Sequence, residues 1–322
     1  MENTNQTENL EILDCGVIGL GPAGVSASLE LTKNGYSVTA FEYGNVGGQV
    51  NMTASIENYP GYSGPAIDLV DRFNDDVERM KKEGRLKVVT SMVKSLEKDG
   101  DLFKVSTSRA TFLFRSVIVC SGTRYRPYAI PDPDRTVRGR GFSRCAICDG
   151  PLYKGKDVMV VGGGEAAFQE ALYLASICHS VTLINRRTIF RASIRDVEAF
   201  KACPNTRIIA PAVTVSCSGN GHLEHVVIKD PNDETDNSLQ TLDVEACFIY
   251  IGSDAATGFV KIPEAMDEKG NMKVDEDMEV VEVPGLFGAG DVIDTPLRQV
   301  STAVGFGSLA GIACTRYLES RR

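Results

Sequence analysis

The chain has 322 residues, of which 43% are apolar and 24% are charged, and its formal net charge is −9. This is the composition of a globular protein with one large core or two ordinary ones. An acidic chain without a long block of Lys or Arg argues against a nucleic-acid partner, and no apolar run approaches the roughly 18 residues of a membrane span. Because residues 1–11 are polar and contain no apolar signal core, we expect a cytoplasmic protein.

The first predicted elements are a strand, a glycine-rich turn, a helix and a second strand that ends in an acid. An apolar run over residues 12–18 leads into the turn at residues 19–24, and the second strand, residues 36–42, ends at Glu42. Glycines in such a turn let the backbone approach a pyrophosphate at the start of a helix, and the acid accepts hydrogen bonds from ribose hydroxyls. This order predicts a dinucleotide site.

Small and amide residues at 47–49 and 57–61 suit close contact with a flat ring, although by composition alone an ordinary surface loop is the better interpretation. Residues 65–82 have apolar side chains at helical spacing and predict a core helix, and short alternating runs between residues 86 and 114 predict a small sheet. The apolar strand 116–120 then ends in Ser-Gly-Thr, which indicates a second close approach of the backbone.

Two cysteines, Cys145 and Cys148, follow a linker-like stretch over residues 124–133, and Asp149 comes directly after them. Such a pair is a redox disulfide, half of a zinc site or two cysteines on one helical turn. Without a second pair, and with no histidine at ligand spacing, redox chemistry is favoured over zinc. Asp149 can then pass protons. We expect Ser143 to cap a helix with Cys145 in its first turn, which favours the Cys145 thiolate as the group that attacks an outside partner.

The pattern of strand, turn and helix repeats after the cysteine pair. Residues 157–161 predict a strand, residues 162–167 a turn, residues 168–177 a helix and residues 180–184 the next strand. That strand leads not to an acid but to Asn185, Arg186 and Arg187, with Arg191 shortly after. Guanidinium groups there would bind a 2′-phosphate, so this turn is predicted to prefer NADP over NAD; the alternative is a cationic surface turn.

Strand-like runs continue to residue 250 around an acidic tip, and the segment 285–292 then ends a strand at Gly290 and Asp291. Asp291 is placed to reach the ribityl chain or pyrophosphate of a flavin, and the helix after Arg298, predicted to run to about residue 317, would aim its positive end at a reduced flavin. Because this segment completes the first nucleotide site, the fold is predicted as α/β, with two Rossmann-like three-layer nucleotide-binding domains. The NADPH domain, residues 124–251, is inserted into a split FAD domain, residues 1–123 and 252–322.

These motifs together resemble those of the low-molecular-weight thioredoxin reductases, pyridine nucleotide-disulfide oxidoreductases of class II. The resemblance covers nearly the whole chain beyond the first ten residues, and its most specific part is Cys145-Ala-Ile-Cys148-Asp149-Gly150. It implies a homodimeric flavoenzyme in which NADPH reduces FAD, FAD reduces the Cys145–Cys148 disulfide, and the dithiol reduces thioredoxin. It also implies that Cys148 faces the flavin, that Cys145 exchanges with thioredoxin, that Asp149 is the acid and that Arg140 docks thioredoxin.

The predicted cofactor residues fall into two sets. The FAD set is Gly19, Gly21, Pro22, Ala23, Gly24, Glu42, Gly48, Gln49, Asn58, Gly122, Thr123, Gly290, Asp291, Arg298, Gln299 and Val300. The NADPH set is Gly162, Gly164, Glu165, Ala166, Ala167, Arg186, Arg187 and Arg191. No metal site is predicted.

The chain departs from the usual family pattern at Glu165-Ala166, Asn185 and Ile147 but retains all three arginines. The resemblance further implies that the inserted domain rotates, and two chain crossings, near Arg124 and Gly252, would permit that motion. Two alternatives stay open. One is a ferredoxin-fed reductase or a small-molecule dithiol/disulfide oxidoreductase of the same fold, and the other is a non-catalytic flavin- or metal-binding module.

Overall fold

The structure is a computed structural model that describes residues 11–53, 55–132, 137 and 140–321. The chain divides into two compact units. The first comprises Met1–Asn51, Ser55–Arg124 and Asp254–Arg322, and the second comprises Met52–Ala54 and Tyr125–Ser253. The chain therefore passes between the units after Asn51, Ala54, Arg124 and Ser253.

The chain forms six helices and nineteen strands among the residues that the structure describes, apart from short 3₁₀ turns. The first part contains β1 (Ile12–Ile18), α1 (Pro22–Lys33), β2 (Val38–Glu42), β3 (Ser55–Tyr59), β4 (Tyr62–Pro65), α2 (Ala66–Lys82), β5 (Leu86–Thr90), β6 (Val93–Asp99), β7 (Leu102–Thr107), β8 (Thr111–Val119) and β9 (Thr123–Tyr125). The middle part contains β10 (Phe142–Ser143), α3 (Ala146–Asp149), β11 (Asp157–Val161), α4 (Glu165–Ile177), β12 (Ser180–Ile184), α5 (Ile194–Ala202), β13 (Thr206–Ile209), β14 (Val213–Ser218), β15 (His225–Lys229), β16 (Gln240–Asp243) and β17 (Ala246–Ile249). The last part contains β18 (Ser253–Ala255), β19 (Leu286–Gly288) and α6 (Val300–Glu319).

The first unit is built on one sheet with the strand order β5-β2-β1-β8-β7-β6, in which β19 also pairs with β8. Strands β5, β2, β1, β8 and β19 are parallel, and β7 and β6 continue the sheet in antiparallel fashion. Val117, Ile118 and Val119 of β8 are fully buried, as expected for a parallel strand covered on both faces. Ile18 pairs with Val119, so the turns that follow β1 and β8 begin side by side.

Helices α1 and α6 pack very closely because glycine lies at their contact. A Cβ atom added to Gly307 of α6 would lie 2.2 Å from the carbonyl oxygen of Ala23, and one added to Gly311 would lie 2.9 Å from that of Ala27. Real side chains do not approach a backbone oxygen this closely, so these positions exclude any larger residue. The close contact places the first turn of α1 beside the middle of α6, around Gly307.

The second unit has a five-stranded parallel sheet, in the order β10-β17-β11-β12-β13, and a three-stranded antiparallel sheet, β14-β15-β16. Successive residues of β11 point into different cores, as the two-residue period of a strand requires. Val158 and Val160 belong to a core that includes Phe168 of α4. Met159 and Val161 belong to a core shared with β14, β15 and β16. The unit is therefore three-layered, with helices on one face of the parallel sheet and the small sheet on the other.

The elements differ from the predicted ones in several places. Helix α4 begins at Glu165 rather than at residue 168, so the glycine turn is shorter than expected, and α5 was not predicted. Among the strand-like runs expected before residue 250, β13 and β14 are separate strands on either side of Pro211, which cannot donate to a ladder. Among the described residues, no helix has the length and apolar character needed to cross a membrane.

Candidate active site and nucleotide-binding turns

Cys145 and Cys148 form a disulfide with an S–S distance of 2.06 Å. The bond uses both sulfurs that a zinc site would need. The Sγ of Cys145 also accepts a hydrogen bond from the backbone N–H of Cys148 at 3.2 Å. The two cysteines differ in exposure, because Cys145 is buried and Cys148 is exposed. The remaining seven cysteines are free thiols.

The prediction that Ser143 caps the helix at the disulfide is wrong. The helix α3 starts at Ala146, and its N-cap is Cys145 itself, whose sulfur accepts the hydrogen bond from Cys148. Ser143 instead ends the short strand β10, too far back to cap α3. Its hydroxyl accepts the N–H of Cys145 at 3.0 Å and donates to Oδ2 of Asp149 at 2.7 Å. Ser143 therefore ties Asp149 to the backbone of the first cysteine.

Two residues behind the disulfide were not anticipated from the sequence. The hydroxyl of Tyr250 accepts a hydrogen bond from the backbone N–H of Ala146 at 3.0 Å. Glu170, on α4, is only 6% exposed, and its Oε2 atom has no hydrogen-bond partner in the part of the chain that the structure describes. Burial raises the pKa of Glu170 to about 7, against an opposing hydrogen bond from Thr53 of the same unit. The sequence did contain a signal for Glu170, because an acidic residue lies there on the buried face of a mostly apolar helix.

The first glycine turn has the geometry that close backbone approach requires. Gly19 has a φ of +99°, and a Cβ atom on Gly24 would lie 1.8 Å from the carbonyl oxygen of Gly19. Pro22 is the first residue of α1, after the N-cap Gly21. Glu42 accepts hydrogen bonds from the backbone N–H groups of Leu20 and Gly44, both at 2.7 Å. The acid at the end of β2 thus braces the turn in addition to any contact with a ribose.

Segments distant in sequence meet this turn within the first unit. A Cβ atom on Gly48 would lie 3.3 Å from the Cα of Gly21. The side-chain amide of Gln49 donates to the carbonyl oxygen and to the hydroxyl of Thr123, at 3.0 and 2.8 Å. The structure therefore brings together three of the predicted FAD segments, those around residues 21, 48 and 123.

The C-terminal segment completes the same cradle. Gly290 has a φ of +79°, and a Cβ atom there would lie 2.9 Å from the Cβ of Ala23. Burial raises the pKa of Asp291, and the nearby positive charge of Arg298 opposes the shift. Gln299 is the N-cap of α6, with a capping box to Thr302, and Val300 is the first residue of that helix. Bare glycine backbone at the start of α1, with Gly48 and Gly290 beside it, fits a pyrophosphate-containing cofactor such as FAD.

The contacts described so far do not test the roles predicted for two residues, Asn58 and Arg140. Asn58 lies on β3 and is exposed, and its role at the flavin site stays a prediction. Arg140 is exposed in the second unit, where its backbone N–H donates to the carbonyl oxygen of Val137 at 3.1 Å. Its proposed contact with a partner protein also stays a prediction.

The second glycine turn likewise requires glycine. Gly162 has a φ of +151°, and a Cβ atom there would lie 2.3 Å from the carbonyl oxygen of Tyr250. Gly164 is the N-cap of α4 and has open space around it, and Glu165 and Ala166 are exposed. Ala167 is fully buried and packs in the core, which suggests that its contribution to a nucleotide site is to let α4 sit close to the sheet.

The arginine loop is folded onto this turn. The amide of Asn185 donates to the carbonyl oxygens of Arg187 and Ile189, at 2.6 and 3.3 Å, and the backbone N–H of Arg191 donates to the carbonyl oxygen of Gly163 at 2.7 Å. Arg186, Arg187 and Arg191 are exposed. Three guanidinium groups beside an open helix start fit a nucleotide with an additional phosphate.

Comparisons with known proteins agree with this geometry. The pyridine nucleotide-disulphide oxidoreductase family matches residues 13–307. The thioredoxin reductase of Mycolicibacterium smegmatis is 31% identical over 99% of each chain, and that of Bacillus subtilis (strain 168) is 32% identical over 96% of each. Among solved structures, the thioredoxin reductase of Lactococcus lactis has a TM-score of 0.88 at 30% identity and covers 96% of this chain and 99% of its own.

The structure of the T. acidophilum thioredoxin reductase has a TM-score of 0.85 at 28% identity and covers 97% of this chain and 99% of its own. These matches confirm the predicted fold class and the family resemblance. With its disulfide, its two glycine turns and near full-length similarity to these enzymes, the chain belongs to the pyridine nucleotide-disulphide oxidoreductases and, within them, to the low-molecular-weight thioredoxin reductases.

Proposed function

We propose that this protein is an NADPH-dependent thioredoxin reductase that uses FAD and its Cys145–Cys148 disulfide. The observation that carries the proposal is the disulfide itself, located in the same unit as a glycine turn and an arginine loop. The cradle formed by Gly21, Gly48 and Gly290 would hold FAD, which would supply the two-electron redox chemistry between NADPH and the disulfide. The arginine loop counts against a ferredoxin-fed reductase, because a protein electron donor has no 2′-phosphate to bind.

The first unit supplies the flavin site. The N-terminal end of α1 has no side-chain cap, and Gly21, Gly48 and Gly290 keep bulky side chains away from it. The two hydrogen bonds from the side-chain amide of Gln49 to Thr123 hold these two residues in place in the flavin site. Binding there therefore orients the cofactor through backbone contacts and excludes water from its phosphates.

The second unit supplies the nicotinamide nucleotide site and the disulfide. Gly164, at the start of α4, faces open space in which a pyrophosphate fits, and Arg186, Arg187 and Arg191 bind the 2′-phosphate. Asn185 holds that loop in place by its bonds to two carbonyl oxygens. These contacts discriminate NADPH from NADH, because only NADPH presents the charge that the arginines neutralise.

Proton transfer at the disulfide is assigned to Asp149. Two-electron reduction breaks the S–S bond and leaves two sulfurs that need two protons to become thiols. Asp149 directly follows Cys148, and its hydrogen bond with Ser143 fixes its carboxylate relative to the backbone of Cys145. Cys145 is assigned the exchange with thioredoxin and Cys148 the electron transfer from the flavin. Cys145 is buried here, so this role requires it to become accessible when the partner binds.

The decisive experiment measures NADPH consumption by the purified protein with and without oxidised thioredoxin. Consumption that depends on thioredoxin supports the function, and consumption that thioredoxin does not change contradicts it. Cys145→Ser and Cys148→Ser are then mixed with a single-cysteine thioredoxin whose sulfur is activated as a disulfide with thionitrobenzoate, so that attack by the remaining cysteine forms the mixed disulfide and releases thionitrobenzoate. We expect Cys148→Ser to form a stable mixed disulfide and Cys145→Ser to form none. The reverse result would exchange the two roles.

Further properties belong to this proposal. The long segment of the inserted unit, Tyr125–Ser253, begins and ends next to strands β9 and β18, which pair with each other, and rotation between the half-reactions is proposed to occur at this pair. Seven free thiols are consistent with a reducing compartment such as the cytoplasm. A homodimer and docking of thioredoxin at Arg140 follow from the family resemblance, and sedimentation and an Arg140→Glu variant test them.

A further inference from the structure

A buried carboxyl, that of Glu170, lies on α4 in the same unit as the redox disulfide and outside the groups assigned to catalysis. Glu170 is 6% exposed, and one of its oxygens, Oε2, has no hydrogen-bond partner in the described part of the chain. An unpaired carboxylate oxygen in an apolar environment is costly, and the cost disappears when the group is protonated. Glu170 is therefore poised to change its charge when its surroundings change.

Tyr250 connects this carboxyl with the disulfide turn. It is 8% exposed, and its hydroxyl accepts the N–H of Ala146, the residue next to Cys145. Burial raises the pKa of Tyr250 strongly, and the negative charges of Glu170 and Asp149 add to the shift. In addition, helix α3, which carries Cys148 and Asp149, packs on helix α4, which carries Glu170.

Other ionisable groups lie on the elements around Glu170. Burial raises the pKa of Tyr125, with a further increase from the charge of Glu170 and an opposing decrease from Arg144. Of the elements that pack on α4, the turn after α3 contributes Tyr153. The charged side chains of α5 and β11 lie at or near the solvent surface: Arg195, Asp196, Glu198, Lys201 and Asp157. The charge of Glu170 is therefore poorly compensated.

We propose that Glu170 takes up one proton when the Cys145–Cys148 disulfide is reduced, and that Tyr250 links the two sites. In the balanced step, the disulfide and the Glu170 carboxylate together accept two electrons from the flavin and two protons from solvent. The S–S bond breaks, one sulfur becomes a thiolate and the other a thiol, and Glu170 becomes a carboxylic acid. The net charge of the region is the same before and after, so the thiolate does not appear beside a second buried negative charge.

Glu170 is thus a positioning residue that tunes the thiolate, not a group that touches the reacting sulfurs. The proposal rests on the redox role of the disulfide assigned above. In the experiment that tests it, dithiothreitol reduces the Cys145–Cys148 disulfide, so neither NADPH nor thioredoxin is needed. A failure to reduce thioredoxin and a failure of this coupling are therefore separate results.

The experiment measures the rate of alkylation of Cys145 and Cys148 by iodoacetamide between about pH 5 and pH 9, in the reduced full-length holoenzyme, by mass spectrometry. Coupled groups titrate in two steps, so the wild type is expected to give a broad, two-step curve. Glu170→Gln is expected to give a single step, with alkylation at pH 8 about threefold or more faster than in the wild type, because the buried Glu170 anion no longer opposes the thiolate.

Glu198→Gln, a change at an exposed carboxyl of α5, is the matched control and should reproduce the wild-type curve. Tyr250→Phe removes the link and should also give a single step. A wild-type curve in Glu170→Gln overturns the proton uptake, and two steps that persist in Tyr250→Phe overturn the link. If Glu170→Gln does not fold, infrared difference spectra between the oxidised and the reduced wild type replace it. A new carboxylic acid band on reduction supports the proton uptake by Glu170, and the absence of such a band overturns it.

Discussion

Burial raises the pKa of Glu170 to about 7, whereas the same carboxyl in water titrates near 4.5. Between these pH values the folded chain binds more protons at this site than the unfolded chain does. The contribution of Glu170 to the free energy of unfolding therefore decreases as the pH rises from about 4.5 to about 7. Glutamine has nearly the same size as glutamate but carries no charge, so Glu170→Gln is a direct probe of the charge of Glu170.

We expect the difference in unfolding free energy between Glu170→Gln and the wild type to be about 3 kcal/mol more favourable to the variant at pH 8 than at pH 5. Comparing the two pH values cancels the hydrogen-bonding difference between the amide and the acid. Urea unfolding followed by circular dichroism measures it, with Glu198→Gln as the control. An equal difference at both pH values would show that Glu170 is ionised in the folded protein throughout.

Arg191 is the arginine whose backbone is bound to the second glycine turn. Reversing its charge in Arg191→Glu should raise the KM for NADPH by about tenfold or more, because charge-assisted hydrogen bonds to a phosphate are lost and replaced by repulsion. The KM for NADH should change much less. Steady-state kinetics with both nucleotides measure the ratio, and Arg316→Glu, an exposed arginine of α6 in the other unit, should leave it unchanged. An unaltered ratio in Arg191→Glu would argue against a phosphate contact.

Among the elements, the contact between α1 and α6 has the most direct bearing on the flavin site. Gly307→Ala would place a Cβ atom 2.2 Å from the Ala23 oxygen, so one helix must move. We expect a loss of about 1–3 kcal/mol in stability and weaker FAD binding, because Ala23 also borders Gly290 in the cradle. Thermal unfolding and FAD titration of the stripped protein measure the two effects.

The same helix offers a matched control. Gly305 has open space around its Cα, so Gly305→Ala adds a methyl group without a clash. Alanine is also the better helix former by about 0.5–1 kcal/mol, so this variant should be at least as stable as the wild type. Equal behaviour of the two variants would mean that the helices separate at little cost and do not shape the site.

At the scale of the whole molecule, the two units have separate hydrophobic cores. The crossings at β9 and β18 are paired, so the ends of Tyr125–Ser253 lie close together. We expect the first unit to fold and bind FAD when a short glycine linker replaces Tyr125–Ser253. The flavin absorbance of the purified variant, and its loss on Gly24→Ala, measure this. An insoluble or colourless product would show that the first unit depends on the insert.

Local sequence was enough to predict the fold class, the two glycine turns and the cysteine pair. Each depends on spacing within one segment: glycines where the chain must pass close to itself, apolar runs where strands are buried, and two cysteines one helical turn apart. The close contacts of Gly19, Gly24 and Gly162 explain why those signals are strict. The ends of the elements were predicted less accurately, since α4 begins three residues before its predicted start. One helix, α5, was not predicted at all.

Tertiary structure alone decided which side chains act together. The bonds of Gln49 with Thr123 and of Tyr250 with Ala146 join residues more than 70 positions apart. The burial of Glu170 depends on what packs over α4, and the role of Ser143 changed because α3 begins after Cys145. Spacing along the chain determines local conformation, but the charge and reactivity of a buried group depend on neighbours that only folding brings into contact.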